Sequence, residues 1–409
     1  MTNSHRGSGD SPGNPVDPQW GQSTRSVHQV VPSPPAQRPL ATPIYRSAAW
    51  EFDTAQSYAD LLAGRTPGYS YSRIDNPTVD AFAASVAALE GAEAGQGFGS
   101  GMGAISTVLM SLLSAGEHIV APAEIYGGTY ALLTDVLSRF GVTTSFVELN
   151  DLEAVAAAVR RETRVIYAET FANPTMAVAD LPGLARICRE SRARLVVDST
   201  FASPAMCRPL EHGADVVVHS ATKYLGGHAD ATGGVAVGAT ELIAAIRAVR
   251  VNVGTVLAPD EAFLLARGLA TLRLRIERQC DTALQFATRI AHHPAVLRVD
   301  HPGLPDFPTH HLAVQLCDPG MYGAIVTVAP RGGREAGMRL CDELRLIRTA
   351  TSLGSVHSKV SHAASTTHRQ LSDDALRAGR IEPSAVRFSL GLEDVEDLIR
   401  DTEQALDRL

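Results

Sequence analysis

The chain of 409 residues has a formal charge of −8, with 45% hydrophobic and 20% charged residues, the balance of a soluble globular protein with room for two domains. The acidic balance and the lack of a basic run exclude nucleic acid and acidic membrane surfaces as partners and leave a small metabolite. Five cysteines without a CxxC pair or a Cys/His ligand spacing give neither a metal site nor a disulfide framework, and read as reduced thiols of a cytoplasmic protein.

Residues 1–22, rich in Gly, Pro, Ser and Asn, are expected to be a disordered tail, and 23–75 an extended N-terminal arm with few core signals. The longest apolar run, "GMGAISTVLMSLLSAG" (101–116), is too short and too rich in Gly, Ser and Thr to span a bilayer and reads as a buried helix. Strand-like runs follow at 118–123, 143–149, 164–170, 194–200, 214–220 and 233–239, with helical stretches such as "LEAVAAAVRRE" and "LPGLARICRES" between several of them. Near-continuous apolar strands joined by helices imply a mostly parallel sheet covered on both faces, so residues 76–270 are expected to form a large α/β domain. A helical stretch from about 260 to 293 leads into a smaller C-terminal α/β domain, 271–409. Its closing helix carries Val395, Leu398, Ile399, Ala405 and Leu406 at helical spacing.

Lys223 is one of only two lysines among 36 cationic side chains; the other, Lys359, sits in the polar run "GSVHSKVSH" and reads as an ordinary solvated residue. An arginine stays protonated at any working pH, whereas a lysine amine can lose its proton and attack a carbonyl to form a Schiff base. Three predicted strands end in polar groups: one runs into Asn173, one ends at Asp198, and one ends at Ser220, Thr222 and Lys223. Ligands of open α/β sheets bind beyond the carboxyl ends of the strands, so these groups converge on one crevice. An amine, an acid and paired hydroxyls suit pyridoxal 5′-phosphate (PLP), whose aldehyde takes a lysine and whose ring nitrogen takes a carboxylate. The turn "GSGMGAIS", opening an apolar helix with Gly101 and Met102, offers free backbone N–H groups to a phosphate.

The blocks "YSYSRIDNPT", "GSGMGAISTVL", "EIYGGTY", "ETFANPT", "VVDSTFASP", "HSATKYLGGHAD", "HPGL", "TSLGS", "STTH" and "VRFSLGLED" occur in an order that resembles the Cys/Met metabolism family of PLP enzymes. The resemblance runs from about residue 23 to the C-terminus and implies a fold type I (aspartate aminotransferase-like) architecture. It implies that Lys223 carries the cofactor, Asp198 pairs with the pyridine nitrogen, Asn173 bonds the phenolic oxygen, and Tyr126 stacks on the ring and moves protons. It places Gly101, Met102, Ser220 and Thr222 on the phosphate, with Tyr71 and Arg73 reaching in from a neighbouring subunit of a homotetramer, a dimer of dimers. It gives the substrate carboxylate to Arg387, assisted by Ser352, with Thr351 beside them.

The implied chemistry is removal of a γ-substituent from an L-amino acid, with γ-replacement, β-elimination from cystathionine or cysteine, and a non-catalytic PLP-binding protein as alternatives. Departures narrow it. Cystathionine-handling members carry Glu where this chain has Thr351, and typical methionine γ-lyases carry Cys where it has Gly128. Gly226, Phe171 and His357 depart as well. A γ-substituent that is small and uncharged, such as a thiol, thioether, acyloxy group or halide, is therefore expected.

Overall fold

In the computed structural model, residues 39–366, 372–378 and 381–409 are described. Ile44–Leu409 form one compact unit. The expected tail, and residues 23–38 of the expected arm, lie outside the described residues.

This unit is built on two sheets. The first has seven strands: β1 (Ala94–Phe98), β2 (His118–Pro122), β3 (Thr143–Val147), β4 (Thr163–Glu169), β5 (Arg194–Asp198), β6 (Val216–Ser220) and β7 (Gly234–Gly238). Their order is β1-β7-β6-β5-β4-β2-β3, with β7 antiparallel to both neighbours and the other pairings parallel. The central strands are apolar at nearly every position because both faces are covered. Ile166, Ala168, Leu195 and Val197 enter one core, while Val165, Tyr167 and Val196 enter the core on the opposite face. All seven are at most 1% exposed, and each of the large ones contributes about 1.5–3 kcal/mol by leaving water.

The second sheet has the order β10-β11-β12-β9-β8, from β8 (Val296–Asp300), β9 (Ile325–Pro330), β10 (Arg348–Thr349), β11 (Lys359–His362) and β12 (Val386–Ser389). Val326, Val328, Val386 and Phe388 of this sheet share a core with Leu398, Ile399, Ala405 and Leu406 of the helix Val395–Leu406, the amphipathic closing helix read from the sequence.

Three elements differ from the sequence reading. β1, "AGQGF", was not expected, and its two glycines explain why: a Cβ at Gly95 would lie 2.5 Å from the carbonyl of Ala83, so close packing and not β propensity chose the residue. The arm holds a helix, Ala55–Leu62, nucleated by a reciprocal Thr54–Ser57 cap. The stretch expected as one helix from 260 to 293 is two, Pro259–Leu269 and Leu272–Ile290. At the break the Gly268 carbonyl accepts from Arg275 Nη2 at 2.7 Å, and Gly268 packs so closely on the Gly226 backbone that no side chain fits.

Candidate active site

The carboxyl ends of β4, β5 and β6 open into a cavity of about 810 Å³. Gly101, Met102, Tyr126, Asn173, Asp198, Ser220, Thr222, Lys223, Thr351, Ser352 and Arg387 all line it. The sequence spreads these residues over nearly 290 positions; the parallel register gathers them, setting Glu169 beside Asp198 and Asp198 beside Val218. Because β7 runs antiparallel to β6, the connection carrying Thr222 and Lys223 turns back at the same edge of the sheet, with Ser220 opposite Gly234.

One end of the cavity is made of backbone. The helix Gly101–Leu112 begins at Ser100, whose hydroxyl accepts the Gly103 N–H at 2.9 Å and whose carbonyl accepts the Ala104 N–H at 3.0 Å, which leaves the Gly101 and Met102 N–H groups without a partner among the described residues. Glycine is required on both sides of this turn. A Cβ at Gly101 would lie 2.6 Å from Ser220 Cβ, and one at Gly234 would lie 2.1 Å from the Ser100 carbonyl oxygen. Ser220 N–H donates to Thr200 Oγ1 at 2.8 Å, and Thr222 Oγ1 accepts from Gly233 N–H at 3.0 Å.

The middle of the cavity holds the titratable groups. Asp198 Oδ1 accepts the Thr200 N–H at 2.9 Å, and Oδ2 accepts from the Tyr167 hydroxyl at 3.3 Å. Burial raises the pKa of Asp198, while the Thr200 bonds, the charge of His219 and the Tyr167 hydroxyl oppose the rise. Lys223 Nζ donates to Ser352 Oγ at 2.6 Å. Burial, then the charges of Arg387 and Lys359, bring Lys223 down to about 8. Lys359 is therefore more than a solvated residue, since it lies on β11 and its charge reaches the amine.

At the far end, Arg387 on β12 is 8% exposed and has no carboxylate partner among the described residues. Its Nη1 donates to Asn173 Oδ1 at 3.0 Å, its Nη2 to the Ser352 carbonyl at 3.3 Å, and its Nε has no partner. Ser352 has φ 76°, a left-handed backbone that directs its carbonyl to the guanidinium and its hydroxyl to the amine. Tyr71 and Arg73 do not line this cavity. Arg73 lies 5.7 Å from the Tyr71 ring centre and donates to the Val251 carbonyl, while the buried Arg250 holds the Arg73 and Ile74 carbonyls at 3.1 and 2.8 Å.

These residues fit PLP. They supply a depressed lysine amine, a buried acid, a glycine cradle that a Cβ would fill, and a buried guanidinium with an orphaned N–H. Together with the sheet, they define a PLP-dependent enzyme of fold type I. The chain belongs to the Cys/Met metabolism PLP-dependent enzymes, whose family profile matches residues 23–407. It is 42% identical over 389 residues to the L-methionine gamma-lyase of Pseudomonas putida, covering 94% of this chain and 97% of the relative. It is 40% identical over 387 residues to the cystathionine gamma-synthase of Mycobacterium tuberculosis, covering 94% and 97%. Among solved structures, a putative O-acetylhomoserine (thiol)-lyase of Campylobacter jejuni holding N′-pyridoxyl-lysine-5′-monophosphate superposes with a TM-score of 0.88 at 31% identity, covering 91% of this chain and 96% of that one.

The sequence reading missed Glu169 and Tyr167, two buried residues of β4 that face Asp198. Their only signal was an acid and a phenol two apart at the end of an apolar strand, where alternation puts both on one face.

Proposed function

We propose that the protein removes the γ-substituent of an L-amino acid whose leaving group is small and uncharged, releasing it with a 2-oxo acid and ammonia. The observation that carries this is the single cavity in which the Lys223 amine, the Asp198 carboxyl and the Arg387 guanidinium face one space. Bound PLP supplies an aldehyde for amines and a ring that withdraws electrons from Cα and Cβ of the substrate. Arg387 binds the substrate carboxylate, with both Nη groups already aimed by Asn173 and Ser352. Lys223 Nζ takes the proton from Cα, a task for which its pKa of about 8 keeps a useful fraction of free amine near neutral pH. Asp198 holds a proton at the ring nitrogen. The Tyr126 hydroxyl moves a proton at the leaving group from the mouth of the cavity, where Tyr126 is 44% exposed.

The likeness to methionine gamma-lyases favours elimination, and that to a cystathionine gamma-synthase supports γ-replacement as the second reading. Thr351 lines the cavity with a hydroxyl where an anion would meet a distal ammonium. Measuring kcat/KM for cystathionine against small γ-substituted amino acids tests the substrate class. Cystathionine emerging as the best substrate by a clear margin overturns it, and gain of cystathionine turnover in Thr351→Glu supports the reason.

The remaining assignments belong to the same proposal. The large and small domains meet near 270/271, and the enzyme works in the cytoplasm. Tyr71 and Arg73 serve the phosphate of a neighbouring subunit in a tetramer of two dimers, consistent with their place outside their own cavity. For the described residues, no helix is long and apolar enough to cross a membrane.

A further inference from the structure

Glu169 closes β4 in register with Asp198 of β5, so two carboxyl groups stand side by side on one face of the sheet. It is 8% exposed and is common to the walls of two cavities, the active-site cavity and a neighbouring one of about 910 Å³. Its Oε1 accepts the backbone N–H of Tyr126 at 2.8 Å. Tyr126 follows β2, so this side chain ties the loop after β2 to the end of β4. Tyr126 needs such a tie, because it opens the short helix Gly127–Ala131 without a side-chain cap and its ring is half exposed. A second link, from Thr175 Oγ1 to Glu124 Oε2 at 2.7 Å, ties the loop after β2 to that after β4 farther out.

We propose that Glu169 is the positioning residue of the ring cleft: its carboxyl group fixes the backbone of Tyr126 against the end of β4, and with it the side chain that stacks on the cofactor ring. The proposal rests on the assignment of Tyr126 and Asp198 as ring contacts. Two adjacent carboxylates in a dry wall repel, so one of the pair is neutral. The surroundings select Glu169: burial first, then the charge of Asp198, push it up to about 8, whereas Asp198 has a phenol, the Thr200 bonds and the charge of His219 on its side. A neutral Glu169 still accepts the Tyr126 bond and leaves Asp198 as the anion that faces the ring nitrogen.

Glu169→Gln preserves shape, neutrality and an acceptor; Glu169→Ala removes all but the shape of the backbone, and Glu169→Asp, one methylene shorter, replaces it in the comparison if the alanine variant does not fold. Hydrogen exchange at the Tyr126 amide, measured on the full chain before and after adding PLP, is expected to speed up on the order of tenfold in Glu169→Ala. It is expected to stay near wild type in Glu169→Gln, with PLP affinity following the same ranking. Unchanged exchange in Glu169→Ala, or a glutamine variant as impaired as alanine in both readouts, overturns the tie. A wild-type protein that shows the expected exchange pattern yet fails to bind PLP overturns the proposal through the cofactor assignment instead.

Discussion

Replacing Arg387 with methionine is expected to make the cofactor-free protein sturdier and the enzyme far worse. The guanidinium is buried with no anion beside it, and taking an unpaired cation out of water costs several kcal/mol. Its two bonds, to Asn173 Oδ1 and the Ser352 carbonyl, return about 1.5–3 kcal/mol each because the donor is charged. Methionine fills a similar length and needs no solvation. The balance for the empty protein is therefore neutral to stabilising, by up to about 2 kcal/mol, read from urea unfolding of the wild type and Arg387→Met without PLP. The substrate sees the reverse. Its carboxylate loses a two-pronged, desolvated partner worth about 3 kcal/mol, on the order of a hundredfold in kcat/KM with whichever amino acid the wild type turns over fastest. The substitution also removes the second largest cause of the low Lys223 pKa, so the amine titrates higher in the variant. A variant that unfolds at clearly lower urea while keeping its kcat/KM would show that Arg387 is a structural buried cation and refute the clamp.

Because Lys223 is lowered to about 8, PLP uptake by the cofactor-free protein should accelerate through that pH and level off above it; a midpoint above pH 10 would contradict the burial argument. Over the interval from about 8 to the ordinary lysine value, the unfolded chain holds the proton that the folded chain has released, so stability of the cofactor-free protein should rise with pH there. Gly101→Ala drives a methyl to within 2.6 Å of Ser220 Cβ and is expected to weaken PLP binding more than tenfold while the circular dichroism stays native; unchanged affinity would remove the turn from the phosphate site. Arg73→Ala should shed PLP as a folded subunit, and mixing it with Lys223→Ala should recover part of the activity, since a hybrid dimer has one site with both groups intact. No recovery despite proven subunit exchange counts against a shared site.

Hydrophobic pattern carried the sheet and the closing helix because β4, β5 and β6 are covered on both faces, which leaves unbroken apolar runs that few other structures produce. β1 escaped because its residues answer to the backbone of Ala83 and not to water, a constraint that exists only after packing. Site residues such as Asp198 and Lys223 were legible as polar groups ending apolar strands, and motif order supplied the partners that strand ends alone did not. Gly101 was legible as part of a glycine-rich turn, but the second glycine of that cradle, Gly234, looked like an ordinary residue of an apolar strand. Glu169 was hidden for a different reason. Its role depends on the register of two strands 29 residues apart, and no local pattern encodes that pairing.

The two ends of the cavity answer differently to mutation over evolutionary time. The end proposed for the phosphate is largely main chain, with helix N–H groups, Gly101 and Gly234, and the Ser220 and Thr222 side chains beside them. Drift there has little to vary without a collision. The opposite end is drawn from the short segment between β10 and β12, where Thr351, Ser352, Ser361 and His362 meet the space with their side chains. A lineage can therefore exchange the residues that judge the substrate while inheriting the glycine cradle intact, and a library confined to residues 349–366 that spares Ser352 and Lys359 would search for new leaving groups while leaving the surroundings of the Lys223 amine in place.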